Sequence, residues 1–266
     1  MPVTKLKNIA ILILLVANLI LVAMMVPKRM AQAEAESDMR ESLTQLYASQ
    51  GVTLASGAIP ANRTLYALQL AAETAAQVRA ATALLGEQPV AQSDPAGWLS
   101  SFTAAGGSCS VGRHGVFQAR LNGLDKDPEQ TLTDMGFAWT GMLRQDEAVY
   151  ATQTVLEVPI YDSGLTLTYN GRLLTAVDGV FFCGTETPIR VSEEACMSAA
   201  DALVLFLDSR YDLGWVGSAV LSLEQGYLRA DTASAAHVQL MPVWRLVTDT
   251  DSFYVDGLTG EFMAAE

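Results

Sequence analysis

Residues 151–184 read ATQTVLEVPIYDSGLTLTYNGRLLTAVDGVFFCG, and they set the fold class that the sequence predicts. Leucine and tyrosine alternate with threonine along 165–169, which is typical of a strand with one buried face. The pairs Asn170-Gly171 and Asp178-Gly179 are typical of tight turns between strands. The stretch therefore predicts a meander of antiparallel strands.

Helices are predicted on both sides of this meander. Asp125 or Asp127 begins one, with Pro128 at its first helical position. Ser192 caps another, which has acidic residues in its first turn and runs to about Ser209. Strands then follow at 216–228, 239–248 and 253–255, leading to Glu261 and Phe262. We therefore predict an α+β fold in which two units, each a helix packed on an antiparallel sheet, follow one another.

The region before the first unit favours helix and then loop. Helix formers fill 31–50 up to Gly51, and an alanine-rich stretch predicts a second helix from about residue 62 or 64 to Leu85. Proline, glycine and serine between residues 87 and 112 indicate a loop. We expect a helical stalk with a loop over 31–112, a first α+β unit over 113–190 and a second over 191–266.

The most apolar stretch is IAILILLVANLILVAMMV at 9–26, which carries no charge over 18 residues. As a helix it rises about 27 Å, close to the thickness of bilayer hydrocarbon. We predict one transmembrane helix there, an uncleaved signal anchor after a short cytoplasmic segment at 1–8. A signal peptide cleaved after Ala31-Gln32-Ala33 is the alternative. Asn18, a polar residue at mid-span, is either a contact for a partner helix or a tolerated amide.

Net charge limits the partners. The chain carries 29 acidic and 16 basic side chains, a formal net charge of −13. Such a charge disfavours nucleic acid as a partner. The three cysteines have no CxxC spacing, so they predict neither a metal knuckle nor a disulfide-built scaffold, although one pair could be bridged.

No motif in the sequence predicts catalysis. His114 and His237 stand far apart without a metal-binding spacing, and GxSxG, P-loop and GxGxxG motifs are absent. We expect no catalytic, cofactor or metal site, and a protein that is not an enzyme. Acidic residues near the carboxyl terminus are better explained by solvated turns than by a Ca²⁺ loop. We expect four aromatic residues to pack in sheets: Trp215, Tyr227, Trp244 and Tyr254.

Two end segments carry a family resemblance. The motif KLKN at 5–8, the apolar span and YASQGVTLASGAIP at 47–60 resemble the YycH/YycI-type regulatory proteins of Gram-positive two-component systems. The segment LMPVWRLVTDTDSFYVDGLTGEF at 240–262 is similar to the closing hairpin of PepSY-like domains. It shows the P-x-W and Y-x-D-x-x-T-G order at Pro242, Trp244, Tyr254, Asp256, Thr259 and Gly260.

The resemblance implies a function and a location. It implies a single-pass membrane protein with an extracytoplasmic carboxyl-terminal part, which modulates a sensor histidine kinase through protein and transmembrane helix contacts. The expected partners are the membrane, the kinase and a related regulatory membrane protein. A PepSY-like extracytoplasmic module that binds ligands or inhibits a peptidase is the alternative. An unrecognised hydrolase is a third hypothesis.

Overall fold

The computed structural model describes residues 35–264 except 36, 62, 72, 87–88, 95–98 and 231–236. Helices are short in this part of the chain. They are α1 at 37–49, α2 at Thr74–Leu85, α3 at Pro128–Met135 and α4 at Ala199–Ser209, with a 3₁₀ turn at Arg113–Gly115.

Strands make up most of the regular structure among the described residues. They are β1 (Thr53–Leu54), β2 (Leu68–Ala71), β3 (Val90–Ser93), β4 (Leu99–Ala104), β5 (Gly107–Gly112), β6 (Val116–Asp125), β7 (Trp139–Gln145), β8 (Ala148–Val155), β9 (Val158–Asn170), β10 (Leu173–Val180), β11 (Ile189–Arg190), β12 (Ala219–Arg229), β13 (His237–Thr248), β14 (Ser252–Asp256) and β15 (Phe262–Ala264).

These strands join into one mixed sheet. Its main path runs β11-β2-β13-β12-β9-β10-β6-β5-β4-β3, with β7 and β8 added beside β9, and β14 and β15 beside β13. β12 pairs in parallel with β1 and with β9, and the other pairs are antiparallel. The pairing between β9 and β12 is short, because its register contains a single residue pair, Tyr227 with Ile160.

The predicted fold class is therefore wrong, because a large mixed sheet replaces two successive α+β units. Residues 87–112, predicted as loop, contain β3, β4 and β5. The first half of the predicted alanine-rich helix contains β2. β4 and β5 are rich in serine and glycine, so few large apolar side chains mark them as strands: β5 buries just Cys109 and Val111.

The prediction of a transmembrane signal anchor is also corrected. Among the residues that the structure describes, no helix has both the length and the apolar character needed to cross a membrane. α2, with 12 residues, rises only about 18 Å against roughly 30 Å of hydrocarbon. The stretch at 9–26, with Asn18, lies outside the described residues.

Buried apolar side chains form two clusters. The first core packs α1 and α4 against β12, β13 and β14, and its largest buried side chains include Trp244, Tyr47 and Phe206. The second core packs α2 and α3 against β4 to β10. β9 supplies both cores, with Val158 and Ile160 in the first and Leu165 and Leu167 in the second. The longest strand thus ties the two cores together.

Some local predictions are confirmed. Asp127 caps α3 by accepting a hydrogen bond from the Glu129 N–H, with Pro128 at the start of the helix. The Asn170-Gly171 turn is also confirmed, since it connects β9 to β10. Asp178-Gly179, in contrast, lies inside β10 and makes no turn.

Candidate protein-binding surface

The histidines occupy structural positions. His114 has φ 59° in the 3₁₀ turn, and its carbonyl oxygen accepts a hydrogen bond from Arg229 Nη1 at 3.5 Å. His237 begins β13 and stands opposite Ala71 of β2. Within the described ranges, no group of three or more His, Cys, Asp or Glu side chains is placed to hold a metal ion.

The three cysteines are buried and unbridged. Burial raises the pKa of the Cys109 thiol to about 12. Burial, with a smaller contribution from the Glu73 carboxylate, does the same for Cys183. Burial is also the main reason that the pKa of Cys196 is raised to about 11. A thiol that stays protonated at neutral pH is a poor nucleophile, so these side chains serve packing.

The acidic residues near the carboxyl terminus organise turns. Asp249 accepts hydrogen bonds from the N–H and the hydroxyl of Ser218, chiefly the former, and these hold the pKa of its carboxyl below the ordinary value. Asp256 Oδ1 accepts from the N–H groups of Leu258 at 2.7 Å and Thr259 at 3.1 Å. Asp256 thus binds the main chain of its own turn, whereas Asp249 holds the distant Ser218 just before β12.

The aromatic residues predicted to pack in sheets divide into two groups. Trp215, Tyr227 and Trp244 are buried in the first core. Trp244 Nε1 donates to the Met197 carbonyl oxygen at 3.0 Å, so this residue of the P-x-W motif joins β13 to the start of α4. Tyr254 is half-buried and stacks at a tilt on Tyr161, with ring centroids 5.3 Å apart.

The most unusual backbone lies between β8 and β9. Leu156 has φ 51° and Glu157 has φ 63°, so two consecutive residues without glycine adopt left-handed conformations. The register joins Val155 directly to Val158, which makes a two-residue hairpin turn. Such turns favour Asn-Gly, because both central residues need a positive φ. Leu156 and Glu157 are called the β8–β9 tip below.

The β8–β9 tip lies between two buried residues and points outward. Val155 and Val158 on either side of it are buried in the first core. Arg63 Nη1 donates to the Glu157 carbonyl oxygen at 3.4 Å. The Leu156 side chain is 62% exposed. A left-handed conformation costs about 1–2 kcal/mol for each residue with a side chain. The turn is therefore strained, and it presents the apolar side chain of Leu156 to solvent.

Sequence reasoning missed this turn. Residues 152–161 read TQTVLEVPIY, which has no glycine, asparagine or aspartate to mark a turn. The one available signal was the pair Val155 and Val158, two β-branched residues at a spacing that breaks the alternation of a single strand. The predicted partner contact, Asn18, lies outside the described residues.

Comparisons with known proteins give a limited result. No protein-family model matches the chain, and no curated protein matches it. Its structure is similar to the crystal structure of an uncharacterized protein from Eubacterium rectale ATCC 33656. That protein is 8% identical, with 81% of this chain and 90% of that chain covered and a TM-score of 0.48.

Proposed function

We propose that this chain is a regulatory protein that works by binding another protein, and that the β8–β9 tip is its contact. A single observation carries the proposal: the two residues of the tip are strained while Leu156 is exposed. Strained backbone persists where the surrounding structure enforces it, and it is concentrated at functional sites. An exposed leucine at the end of a hairpin can enter an apolar pocket of a partner, because burying its side chain removes apolar surface from water.

The partner that we propose is a sensor histidine kinase. Its support is the resemblance of residues 5–8 and 47–60 to regulatory proteins of two-component systems. The net charge of −13 agrees with a protein partner rather than a nucleic acid. The contact with the kinase is made by the β8–β9 tip, and no transmembrane helix takes part in it.

A paired set of variants tests the tip. Leu156→Asn with Glu157→Gly supplies the residues that the turn favours and removes the apolar side chain. We expect the free energy of unfolding to rise by about 1–2 kcal/mol while binding to the kinase weakens at least tenfold. Asp146→Gly is the matched control, because Asp146 also has a positive φ, 50°, in the exposed turn between β7 and β8. It should stabilise the chain without changing binding.

The kinase for this experiment is the one encoded beside the gene of this chain, co-expressed with the full-length protein and measured by co-purification. Unchanged binding by the Leu156→Asn/Glu157→Gly variant would show that the tip is not the contact. No binding by the unaltered chain, or no kinase gene beside its own, would instead count against the choice of partner.

A further inference from the structure

A second surface feature lies on the opposite face of the sheet from α4. Glu224 of β12, Arg245 of β13 and Tyr254 of β14 form one row across three strands, since the registers pair Glu224 with Arg245 and Arg245 with Tyr254. On β13, Trp244 and Leu246 are fully buried in the first core, so alternation places Arg245 on the other face.

Tyr161 of β9 completes the group. A Cβ atom added to Gly226 of β12 would lie 2.2 Å from Tyr161 Cε2, so the tyrosine ring rests on the space that the glycine leaves. The Arg245 guanidinium carbon lies 5.6 Å from the centre of the Tyr161 ring. We call Tyr161, Glu224, Arg245 and Tyr254 the Tyr161 cluster.

Two hydrogen-bond donors of the Tyr161 cluster lack a partner. Across the described part of the chain, the buried side-chain polar atoms without a hydrogen bond are Tyr161 Oη and Arg245 Nε. A buried donor left unpaired costs about 1–3 kcal/mol, so two in one cluster form an exception to the rule that buried polar groups are paired. Burial, and to a smaller extent the Glu224 carboxylate, raises the pKa of Tyr161, so its phenol keeps the proton that it can donate.

The positive charge of Arg245 is only weakly compensated by the Glu224 carboxylate. Arg245 Nη1 lies 3.7 Å from Glu224 Oε2, and the side chains are 38% and 50% exposed. That contact uses one edge of the guanidinium and leaves Nε on the other. A planar guanidinium matches the two oxygens of a carboxylate with two parallel hydrogen bonds, which is a stronger arrangement than a single loose ion pair.

An open cleft borders the Tyr161 cluster at Arg245 and Tyr254, and Tyr161 and Glu224 lie behind these two residues rather than in its lining. A cleft of about 410 Å³ is lined by Arg245 and Tyr254 together with the loop between β13 and β14. That volume is within the range of small-molecule sites. Of the acidic residues in the loop, Asp249 accepts hydrogen bonds from Ser218 through its carboxylate. Asp251 is tied to Thr248 through its main chain: its N–H donates to the Thr248 hydroxyl, and its carbonyl oxygen accepts from that hydroxyl.

We propose that the Tyr161 cluster binds a carboxylate, which accepts hydrogen bonds from Arg245 and from Tyr161 and displaces Glu224 from the arginine. Arg245 Nε can only donate and the protonated Tyr161 hydroxyl can donate as well, so an acceptor group satisfies both, and the charge of the arginine favours an anionic one. The carboxylate belongs either to a small organic acid or to an acidic peptide. This site is separate from the β8–β9 tip and does not depend on the function proposed for it.

Calorimetric titration of the full chain tests the site, with succinate and the peptide acetyl-Asp-Asp-Asp-amide as probes at low ionic strength. We expect Arg245→Gln to weaken binding at least about tenfold, as expected for a charged hydrogen-bond partner. Tyr161→Phe should weaken it severalfold. Glu224→Gln should strengthen it, because the displaced competitor is gone. Tighter binding of one probe identifies the source of the carboxylate.

Arg172→Gln is the matched control for general attraction of anions. Arg172 is 90% exposed and its nearest carboxylate oxygen, Asp125 Oδ1, is 3.9 Å away. Loss of binding in this variant equal to that of Arg245→Gln would overturn the proposal, and so would the absence of binding by both probes. Tyr161→Phe removes one oxygen and keeps the ring, so unchanged affinity in a folded Tyr161→Phe protein would also overturn it.

Discussion

Gln153 is a polar side chain that joins β8 to β9 and to the residues that follow β10. It is fully buried. Its Nε2 donates to the Phe182 carbonyl oxygen at 2.7 Å, and its Oε1 accepts from the Phe182 N–H at 2.9 Å and from the Ser163 hydroxyl at 2.6 Å. Phe182 belongs to the first core and its neighbour Phe181 to the second, so this amide holds the chain where it passes between them.

We expect Gln153→Ala to lower the free energy of unfolding by about 3 kcal/mol. The substitution leaves the Phe182 N–H and carbonyl oxygen buried without partners, and each such group costs about 1–3 kcal/mol. Urea denaturation provides the measurement. Gln92→Ala, at an exposed position of β3, is the control and should change little. Equal losses in the two variants would mean that the network around Gln153 adds no stability.

The cysteines give a second prediction for single residues. Since burial raises the pKa of Cys109 and Cys183 to about 12, both thiols stay protonated in the folded protein near neutral pH. A thiol-specific chromogenic reagent at pH 8 should therefore react very slowly with the native chain. It should titrate all three cysteines rapidly once urea unfolds the protein. Fast reaction of the native protein would mean that at least one thiol is accessible.

At the scale of elements, α4 shows what sequence can and cannot predict. Acidic residues follow Ser192 directly, and the sequence predicted Ser192 as the cap. In the structure the Ser192 hydroxyl accepts a hydrogen bond from the Ala67 N–H, a residue distant in sequence. Ser198 is the cap, in a reciprocal box with Asp201. The Ser192 hydroxyl is therefore occupied by a long-range contact, which the local sequence does not reveal.

We expect Ser198→Ala to destabilise the chain by about 1 kcal/mol, the usual cost of losing a helix cap. Chemical denaturation followed by circular dichroism would measure it. Ser42→Ala in α1 is the matched control, since that hydroxyl bonds to the Asp38 carbonyl oxygen within the helix and caps nothing. A Ser198→Ala variant as stable as the Ser42→Ala control would contradict the assignment of the cap.

Other elements also differ in whether the local sequence predicts them. The strand at 165–169 and the Asp127-Pro128 helix start were predictable, because alternation and capping are local signals. β4 and β5 were not, because they bury few large side chains: Phe102 in one, and Cys109 and Val111 in the other. The β8–β9 tip was not predictable either, since its left-handed turn is imposed by the buried valines on both sides of it and not by its own residues.

At the scale of the whole molecule, β9 makes the two cores one unit. Its first half packs in the first core and its second half in the second. We therefore expect unfolding in a single transition. Leu223→Ala in the first core and Leu167→Ala in the second should each shift the entire transition, at a cost of about 2–5 kcal/mol for a buried leucine.

Tryptophan fluorescence and far-ultraviolet circular dichroism measure this together. Trp215 and Trp244 belong to the first core, whereas Trp139 packs against the second. Trp98 and Trp139 are therefore replaced by Phe in every variant, so that fluorescence follows the first core while circular dichroism follows the strands of both. The two signals should have the same midpoint in every variant. Separate midpoints would show that the cores unfold independently. Leu143→Ala, at an exposed site on β7, is the control that should leave the midpoint in place.

The end of the sheet at β3 has a consequence for how copies of this chain behave in concentrated solution. β3 ends the main path of strands, all four of its residues are exposed, and none is charged. An edge of this kind is a template for pairing with another chain, and charge is the usual protection. β3 has no charged residue, so repulsion between copies comes from the net charge of the whole chain, −13. As the pH falls toward about 4 and carboxylates gain protons, we expect self-association that light scattering detects and that Gln92→Lys suppresses.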